Sequence, residues 1–278
     1  MHFEFGTLAK DIAMLKELTD AKMIVSFRGY DMYYAGLEDK NYYTDVWQHA
    51  DGIHFLGNDL KQHGIARGYR SKQMEVIIPP AIDIDFFKPV SPKRNNDVFN
   101  IISVGRLTWR KGYDQALKAM KYLKEQDKVF HYTIVGAGEH LTAIQFMIKD
   151  FELESYVTLA GNLNKEAVRN MLNTADLFLQ ASVSEGFCNA VLEAQSMALP
   201  VVCTDAGGLV ENVANGVTGY IVPRWDIKEM ADKIGWCINN KFLLSKLGEQ
   251  GRQRVLQHFN VQDQINKFVA FYNKVYAG

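Results

Sequence analysis

Short apolar segments rich in β-branched residues alternate with longer segments of helical period, and this alternation is the feature that most constrains the fold. The predicted strands are residues 22–28, 52–57, 74–79, 99–105, 130–136, 156–161, 176–181, 200–205 and 219–223. Helical patterns between them include residues 113–126, 141–151 and 165–175. Repeats of strand, helix and strand favour parallel sheets with helices on both faces. Continuous apolar runs such as DLFLQA fit burial on both faces. The sequence therefore predicts an α/β fold.

A proline-rich segment suggests how the chain is divided. Residues 79–97 carry four of the six prolines. Because proline fixes φ and removes a backbone donor, this stretch suits a crossing segment between domains. We expect a first lobe at residues 1–88, with about three strands, which is thin for an independent unit. A complete Rossmann-like parallel-sheet domain with about six strands is expected at 89–255, followed by C-terminal helices, the last at 256–278.

Composition excludes several classes of protein. The chain of 278 residues has 31 Lys and Arg against 32 Asp and Glu, which argues against nucleic-acid binding. Cys188, Cys203 and Cys237 lie far apart in the sequence, so a disulfide framework is not expected. The expected compartment is the reducing cytoplasm. The histidines show no zinc spacing. No apolar run approaches the ~20 residues of a membrane span, and the N-terminus lacks the pattern of a signal peptide.

The sharpest motif is residues 182–208, where a strand ends and a helix begins near 187–189. Glu185 then lies in the loop and Glu193 in the helix, at the sheet edge where open α/β folds bind ligands. The first helix amides favour a phosphate there. The two carboxylates should stand roughly 8–12 Å apart, too far for a retaining glycosidase, which needs about 5 Å. This separation suits a ligand in which two hydroxyl-rich groups stand on either side of a phosphate bridge. The alternative, that both only stabilise a helix N-terminus, stays open.

Three other motifs contain residues suited to contact a ligand. In residues 103–116, Arg106 and Lys111 leave a strand's carboxyl end and are placed to neutralise a phosphate, although a solvated basic loop is the alternative. Residues 134–140 form an incomplete dinucleotide fingerprint, so a tight strand-to-helix turn is favoured and an oxidoreductase is a distant reading. The Gly207–Gly208 loop could approach a ligand closely. Cys188, near a helix N-terminus, is interpreted as a packing residue although such a position can lower a thiol pKa.

At this point the motifs resemble those of a known family. Residues 74–240 are similar to the retaining nucleotide-sugar glycosyltransferases of glycosyltransferase family 4, which have the GT-B fold. The resemblance rests on IPPAIDIDFFKP, VGRLTWRKGYDQALKA, IVGAGEH, the run from LAGNLNKEAV to SEGFCNAVLEA, LPVVCTDAGGLVENV and GVTGYIVP, in that order.

The resemblance implies roles for individual residues. Arg106 and Lys111 would contact the donor diphosphate, Glu193 the ribose, and Glu185 the donor sugar near the reaction centre. The amides of residues 186–190 would hold the phosphate and sugar. The implied donor-binding set comprises Gly105, Arg106, Lys111, Asn162, Leu163, Glu185, Gly186, Phe187, Cys188, Asn189, Ala190 and Glu193, with Arg106, Lys111 and Glu185 catalytic. No metal and no other cofactor are expected.

Two departures concern the acceptor side. The start of the chain resembles the middle of the family's N-terminal domain, so the first ~80–100 residues of the usual pattern are expected to be absent. Many members carry HGxD where this chain has FRGYD, which makes Arg28, Gly29 and Asp31 the acceptor-side candidates. By the same resemblance the last helix braces the first lobe. Its apolar stripe is predicted at Val261, Ile265, Phe268, Val269, Tyr272 and Val275.

The leading hypothesis is a cytoplasmic glycosyltransferase that moves a sugar from a UDP- or GDP-sugar to a carbohydrate or lipid-linked acceptor, with retention. The alternative is a non-catalytic nucleotide-sugar-binding fragment or one half of a split enzyme. Peripheral contact with the inner face of the membrane is a further hypothesis. An uncovered sheet edge and exposed apolar area would favour self-association or a partner chain that supplies the missing segment. The chain is then expected to bind donor through residues 99–240 but to transfer sugar poorly.

Overall fold

The computed structural model describes residues 1–71, 73–90 and 98–278. They form two compact units: Met1–Ala81 with Val261–Gly278, and Ile82–Asn260. The first boundary lies earlier than the expected 88/89 because Ile82 already donates its N–H to the carbonyl of Phe259 at 2.8 Å, and Phe87 is buried in the second unit's core. The second boundary lies between Asn260 and Val261, whereas the sequence analysis expected it between residues 255 and 256. The last part of the expected crossing segment, residues 91–97, lies outside the described residues.

The first unit contains a four-stranded parallel sheet in the order β1-β2-β3-β4. Its strands are β1 His2–Phe3, β2 Ile24–Phe27, β3 Gly52–Phe55 and β4 Met74–Ile77. Its helices are α1 Gly6–Ala9, α2 Gly29–Tyr33, α3 Thr44–His49, α4 Asn58–Ala66 and α12 Val261–Ala277, and a 3-10 helix spans Ala13–Leu18. All residues of β2 and β3 are buried. The sequence predicts these two strands and β4, but β1 is only two residues long and produces no periodic pattern.

The second unit contains a six-stranded parallel sheet in the order β10-β9-β8-β5-β6-β7. Its strands are β5 Phe99–Val104, β6 Phe130–Val135, β7 Val157–Gly161, β8 Leu177–Gln180, β9 Val201–Thr204 and β10 Gly219–Val222. Its helices are α5 Tyr113–Glu125, α6 Leu141–Asp150, α7 Lys165–Thr174, α8 Asn189–Ser196, α9 Leu209–Asn212, α10 Ile227–Asn239 and α11 Lys241–His258. The chain first builds β5, β6 and β7 outwards and then returns to place β8 on the other side of β5. The strand order therefore reverses between β5 and β8, which is where open α/β sheets bind ligands.

Both faces of the second sheet are covered. On β5, Ile101 belongs to one apolar core cluster and Ile102 to the other. On β8, Leu177 and Leu179 face the first cluster, whereas Phe178 faces the second. Because alternate residues of a strand point to opposite faces, each strand must carry apolar residues on both faces. The continuous apolar runs of the sequence have this cause, and the predicted parallel α/β class is confirmed.

The glycine motif at residues 134–140 forms a tight turn. β6 ends at Val135, Gly136 has φ of +147°, and α6 begins at Leu141. A Cβ on Gly136 would come within 1.9 Å of the Gly105 carbonyl oxygen. The glycine is thus required by the close approach of two backbone segments, as the turn interpretation expects.

Helix α12 packs on the first unit's sheet with only part of the predicted stripe. Phe271 and Val275 are buried against Ile24. Val275 belongs to the predicted stripe, and so does Phe268, whose ring centre lies 4.9 Å from that of His54. The other four members remain solvent-exposed: Val261, Ile265, Val269 and Tyr272. The predicted stripe is therefore only partly right, because apolar residues occur on two faces of this helix and the sequence does not tell which one meets the sheet. In the part of the chain that is described, no helix has the length and hydrophobicity needed for crossing a membrane.

Candidate functional site

The loops that follow β5 and β8 meet at the reversal point of the second sheet. Gly112 ends the first loop with φ of +64°, and a Cβ there would lie 1.9 Å from the carbonyl oxygen of Ala181, just after β8. Val183 donates its N–H to the Arg110 carbonyl at 2.8 Å. Only glycine allows this approach of the two backbones. The loops are consequently held together.

A third loop, after β9, supports the second one. Gly208 donates its N–H to the Glu185 carbonyl at 2.7 Å, and a Cβ on Gly208 would lie 2.0 Å from the Gly186 carbonyl oxygen. The Asn212 side chain accepts from the Cys188 N–H at 3.0 Å and donates to its carbonyl at 3.2 Å. Gly208 therefore approaches this backbone closely. The sequence analysis missed Asn212, because nothing local marks a contact 24 residues away.

These loops and the start of α8 enclose a cavity of about 320 Å³. Nine predicted donor-site residues line it: Gly105, Arg106, Lys111, Glu185, Phe187, Cys188, Asn189, Ala190 and Glu193. The sequence analysis did not single out Val104, Thr108, Arg110 and Ser184, which also line it. The two basic side chains and the two carboxylates are thus brought to one cavity, although they come from motifs about 80 residues apart in the chain.

Three predicted donor-site residues do not line the cavity. Asn162 and Leu163 follow β7, an edge strand that two strands, β5 and β6, separate from β8. Leu163 packs against an apolar core cluster. Gly186 is buried beneath Gly208, with its carbonyl turned towards that loop. Their placement in the donor site stays a prediction.

Lys111 and Glu185 form an ion pair inside the cavity. The Lys111 Nζ lies 2.6 Å from the Glu185 Oε2, and both side chains are mostly buried. Burial opposes the charge of Lys111, but the adjacent Cys188 and Glu185 and the hydrogen bond to Glu185 outweigh it and raise the Lys111 pKa. Lys111 is therefore a cation at neutral pH. It lies on the loop that follows β5 and is paired with a carboxylate on the loop that follows β8.

Glu193 and Arg106 line the cavity without an ion-pair partner among the described residues. Burial raises the pKa of Glu193 to about 7, and the charge of Lys165 only partly offsets this. No described side chain lies within ion-pair distance of the Glu193 carboxylate, and Arg106 is exposed with no described side-chain partner. A buried carboxylate without a partner is costly, and such groups concentrate at binding sites. Both are available to a ligand.

Cys188 is a packing residue. Burial raises the pKa of its thiol to about 11, and the side chain belongs to an apolar core cluster. Its position just before α8 does not lower the pKa, because desolvation of the thiolate dominates. Cys188 is therefore a neutral thiol at pH 7, which argues against a nucleophilic role.

The acceptor-side candidates lie at the start of α2 in the first unit. Arg28 forms an ion pair with Glu4. The Asp31 carboxylate is fully buried and accepts from the N–H groups of Thr7 at 3.0 Å and Arg28 at 2.8 Å. Gly29 is the first residue of α2. Asp31 is thus used to cap α2 and does not face solvent, which leaves Arg28 and Gly29 as candidates. Among the described residues, no group of three or more His, Cys, Asp or Glu side chains could hold a metal ion.

Comparison with known proteins agrees with this architecture. The putative colanic acid biosynthesis glycosyltransferase WcaL of Escherichia coli K12 is 29% identical over 278 residues, covering 96% of this chain and 68% of WcaL. The amylovoran biosynthesis glycosyltransferase AmsK of Erwinia amylovora is 29% identical over 240 residues, covering 83% of this chain and 58% of AmsK.

Solved glycosyltransferase structures share the fold. Anabaena HepE in complex with UDP has a TM-score of 0.88 at 17% identity, covering 98% of this chain and 78% of HepE. Sucrose-phosphate synthase of Thermosynechococcus elongatus has a TM-score of 0.86 at 21% identity, covering 99% of this chain and 73% of that one. The expected GT-B-like class is confirmed by these likenesses. The family model described as glycosyl transferases group 1 matches residues 84–254, more than half of the sequence. The chain therefore belongs to the glycosyl transferases group 1 family.

Proposed function

We propose that this chain transfers a sugar from a UDP- or GDP-sugar to a carbohydrate or lipid-linked acceptor, with retention at the anomeric carbon, as the resemblance to glycosyltransferase family 4 implies. The observation that supports it is the single cavity lined by Arg106, Lys111, Glu185 and Glu193. A nucleoside diphosphate sugar presents ribose hydroxyls, a diphosphate and a hexose in one line. The cavity offers carboxylates for hydroxyl groups and two cations for the diphosphate.

Arg106 and Lys111 would act on the leaving group. When the bond between the anomeric carbon and the diphosphate breaks, negative charge grows on the departing oxygen. Arg106 has no side-chain partner to give up among the described residues. Lys111 is already fixed by Glu185 at 2.6 Å. Preorganised charges aimed at a developing charge provide a large part of enzymatic rate enhancement. In this proposal they stabilise the leaving diphosphate without a metal ion, so a chelator such as EDTA should leave turnover unchanged.

The two carboxylates would divide the rest of the donor between them. Glu185 lies beside Lys111, close to the diphosphate, and would orient the hexose. Glu193 is the fifth residue of α8 and would accept hydrogen bonds from the ribose hydroxyls. The start of α8 between them favours an anion.

The remaining assignments stay predictions. They are the identity of the acceptor, the roles of Arg28 and Gly29 in binding it, contact with a membrane, and association with a second copy or a partner chain. One relative is the GPI3 subunit of the Saccharomyces cerevisiae phosphatidylinositol N-acetylglucosaminyltransferase.

Calorimetric titration of the full chain with UDP, GDP and the parent nucleosides tests the diphosphate site. Arg106→Ala with Lys111→Ala should weaken diphosphate binding by at least about 100-fold, since each charge-assisted contact contributes roughly 1.5–3 kcal/mol. Nucleoside binding should change little. The matched control is Lys118→Ala with Lys121→Ala on α5, which removes the same charge outside the cavity. Equal diphosphate affinity in both double variants would overturn the assignment.

A transfer assay with several UDP- and GDP-sugars then separates catalysis from binding. Multiple turnovers onto a lipid-linked or oligosaccharide acceptor, with the product's anomeric configuration read by NMR, support the proposal. An inverted product contradicts retention. Tight donor binding without transfer favours the alternative, a nucleotide-sugar-binding fragment or half of a split enzyme.

A further inference from the structure

A larger cavity, of about 760 Å³, lies wholly within the first unit. It is at the amino ends of the strands: its wall includes Lys22 just before β2, Asp51 just before β3 and Met74 at the start of β4. The candidate donor cavity lies at the carboxyl ends of the strands of the other sheet. The two cavities share no lining residue. The larger cavity is therefore a separate feature, and its function does not depend on the proposed transfer reaction.

Its charge is strongly positive. The lining includes five Lys and Arg side chains but one Asp or Glu side chain. The five cations are Lys16, Lys22, Lys40, Arg67 and Arg70, and the acidic side chain is that of Asp51. A concave wall with one sign of charge focuses the electrostatic potential and attracts ions of the opposite sign. This excess is local, because the whole chain has a net charge of -1.

Asp51 neutralises only part of this charge. Its Oδ2 lies 2.6 Å from the Lys16 Nζ, and its Oδ1 lies 3.8 Å from the Lys22 Nζ. Oδ2 also accepts from the Met23 N–H at 2.8 Å. One carboxylate is thus shared by two lysines and a backbone donor. At least one positive charge remains uncompensated here.

The other three cations have no carboxylate within ion-pair distance among the described residues. Arg67 donates to backbone carbonyls, including those of Asp31 at 2.6 Å and Gly36 at 3.1 Å, and lies over the Tyr43 ring. Arg70 donates to two further carbonyls. Lys40 has no partner in the described part of the chain. Arg67 is held rigidly, whereas the Lys40 and Arg70 side chains are exposed and can reach a ligand.

We propose that this cavity binds a phosphate-bearing ligand, with Lys40 and Arg70 as its main contacts. Arg binds phosphate oxygens as a fork and Lys as a point charge. Several uncompensated cations suit a di- or polyanion better than a single carboxylate. The volume falls within the roughly 300–1,000 Å³ of small-molecule sites, and Trp47, Met74 and Val275 add apolar wall for an organic portion. A soluble organophosphate and a phospholipid headgroup share this chemistry.

The experiment uses inorganic pyrophosphate as the soluble probe and vesicles of phosphatidylglycerol, with phosphatidylcholine vesicles for comparison. Binding to the full chain is measured by calorimetry for pyrophosphate and by co-sedimentation for vesicles. All variants carry Arg106→Ala and Lys111→Ala, which removes the proposed donor site from the signal. The test pair is Lys40→Ala with Arg70→Ala. The matched control, Lys267→Ala with Lys274→Ala on α12, removes the same charge from the same unit outside the cavity.

We expect the test pair to weaken binding at least about tenfold, since each charge-assisted contact contributes roughly that factor, and the control pair to have little effect. Loss of pyrophosphate binding identifies a soluble organophosphate as the source. Loss confined to phosphatidylglycerol vesicles identifies a lipid headgroup. Lys40→Ala alone, at an exposed position without partners among the described residues, should weaken binding by about threefold or more, which keeps the test valid if the double variant misfolds. Equal effects of test and control pairs, or no binding of either probe, would overturn the proposal.

Discussion

The Nζ of Lys111 lies 2.6 Å from the Oε2 of Glu185, across the point where the second sheet reverses its strand order. The resemblance assigns these side chains to different parts of the donor, the diphosphate and the sugar. In the structure each is the other's partner. A diphosphate that enters the cavity must therefore share Lys111 with Glu185. This relationship predicts how variants of the two residues should differ.

Glu185→Gln should separate binding from turnover. Without the competing carboxylate, Lys111 is fully available, so UDP or GDP affinity should stay equal or rise by up to about tenfold. Turnover of the sugar donor should fall by about 10- to 100-fold, because the hexose loses an oriented acceptor group. Calorimetry and steady-state kinetics measure the two quantities. Loss of nucleoside diphosphate affinity together with turnover would contradict this division of roles.

The same variant should destabilise the fold. Removing one partner of a fully buried pair costs about 3–5 kcal/mol. Both side chains here keep 15–19% of their surface exposed, so solvent screening reduces this to about 1–3 kcal/mol. Urea unfolding measures the free energy. Saturating nucleoside diphosphate should stabilise Glu185→Gln more than the native chain, since the diphosphate supplies the missing negative charge to Lys111.

Glu193 should make stability depend on pH. Its pKa is about 7 in the folded chain against 4.5 when unfolded. Between these values the folded state binds more protons than the unfolded state, so stability should fall as pH rises from about 4.5 to 7 and then level off. The difference corresponds to about 3 kcal/mol. Glu193→Gln should remove this slope, and at pH 8 it should be more stable than the native chain.

Urea unfolding at pH 5 and pH 8 provides the measurement. The control is Glu154→Gln, which alters an exposed carboxylate of the same unit and should leave the slope as it is. If Glu193→Gln and Glu154→Gln give the same pH dependence, the slope has another origin.

Glu193 also makes donor affinity depend on pH. A carboxylate accepts two hydrogen bonds from a pair of ribose hydroxyls, whereas its protonated form loses part of that capacity. Affinity for uridine or guanosine, which carry no phosphate to titrate, should therefore rise with pH through about 7. Glu193→Gln should bind these nucleosides more weakly and without that rise. An unchanged pH profile in Glu193→Gln would place the ribose elsewhere.

The sequence predicts the sheet of the second unit well because burial on both faces requires strands with apolar residues on both faces. DLFLQA is an example: each residue of β8 is buried. Periodicity alone does not predict β1, whose two residues pair in register with Ile24 and Val25 but have no pattern of their own. Tertiary pairing alone defines such a strand.

For the cavity, the loop ends of β5 and β8 are predictable from the sequence, and nine predicted residues line it. The Lys111–Glu185 ion pair is not, since 74 residues separate its members. The pattern that places Glu193 on α8 likewise does not predict that its carboxylate is largely buried without an ion-pair partner among the described residues.

The basic cavity of the first unit is not predicted from the sequence for a related reason. Its cations are scattered from Lys16 to Arg70, and no local run of charge marks them.

Arg67 should be a structural residue even though it lines the basic cavity. Its guanidinium donates to carbonyls near the end of α2, including those of Asp31 and Gly36, and lies 4.9 Å from the Tyr43 ring centre. Arg67→Met should cost about 2–4 kcal/mol of stability, because several buried carbonyls lose their donor. Arg70→Met, at an exposed neighbouring position, should cost less than about 1 kcal/mol. Urea unfolding of both variants decides this, and equal costs would contradict it.

Two residues of α12 test which face of the helix stabilises the first unit. Phe271 is 3% exposed and packs with Val275 against Ile24, whereas Val269 is 50% exposed although the sequence pattern places it in the apolar stripe. Phe271→Ala should destabilise the chain by about 3–5 kcal/mol, the cost of removing a buried phenyl ring. Val269→Ala should change stability by less than about 0.5 kcal/mol. Urea unfolding followed by far-UV circular dichroism compares the two. A large cost for Val269→Ala would mean that the exposed face of α12 is covered in solution.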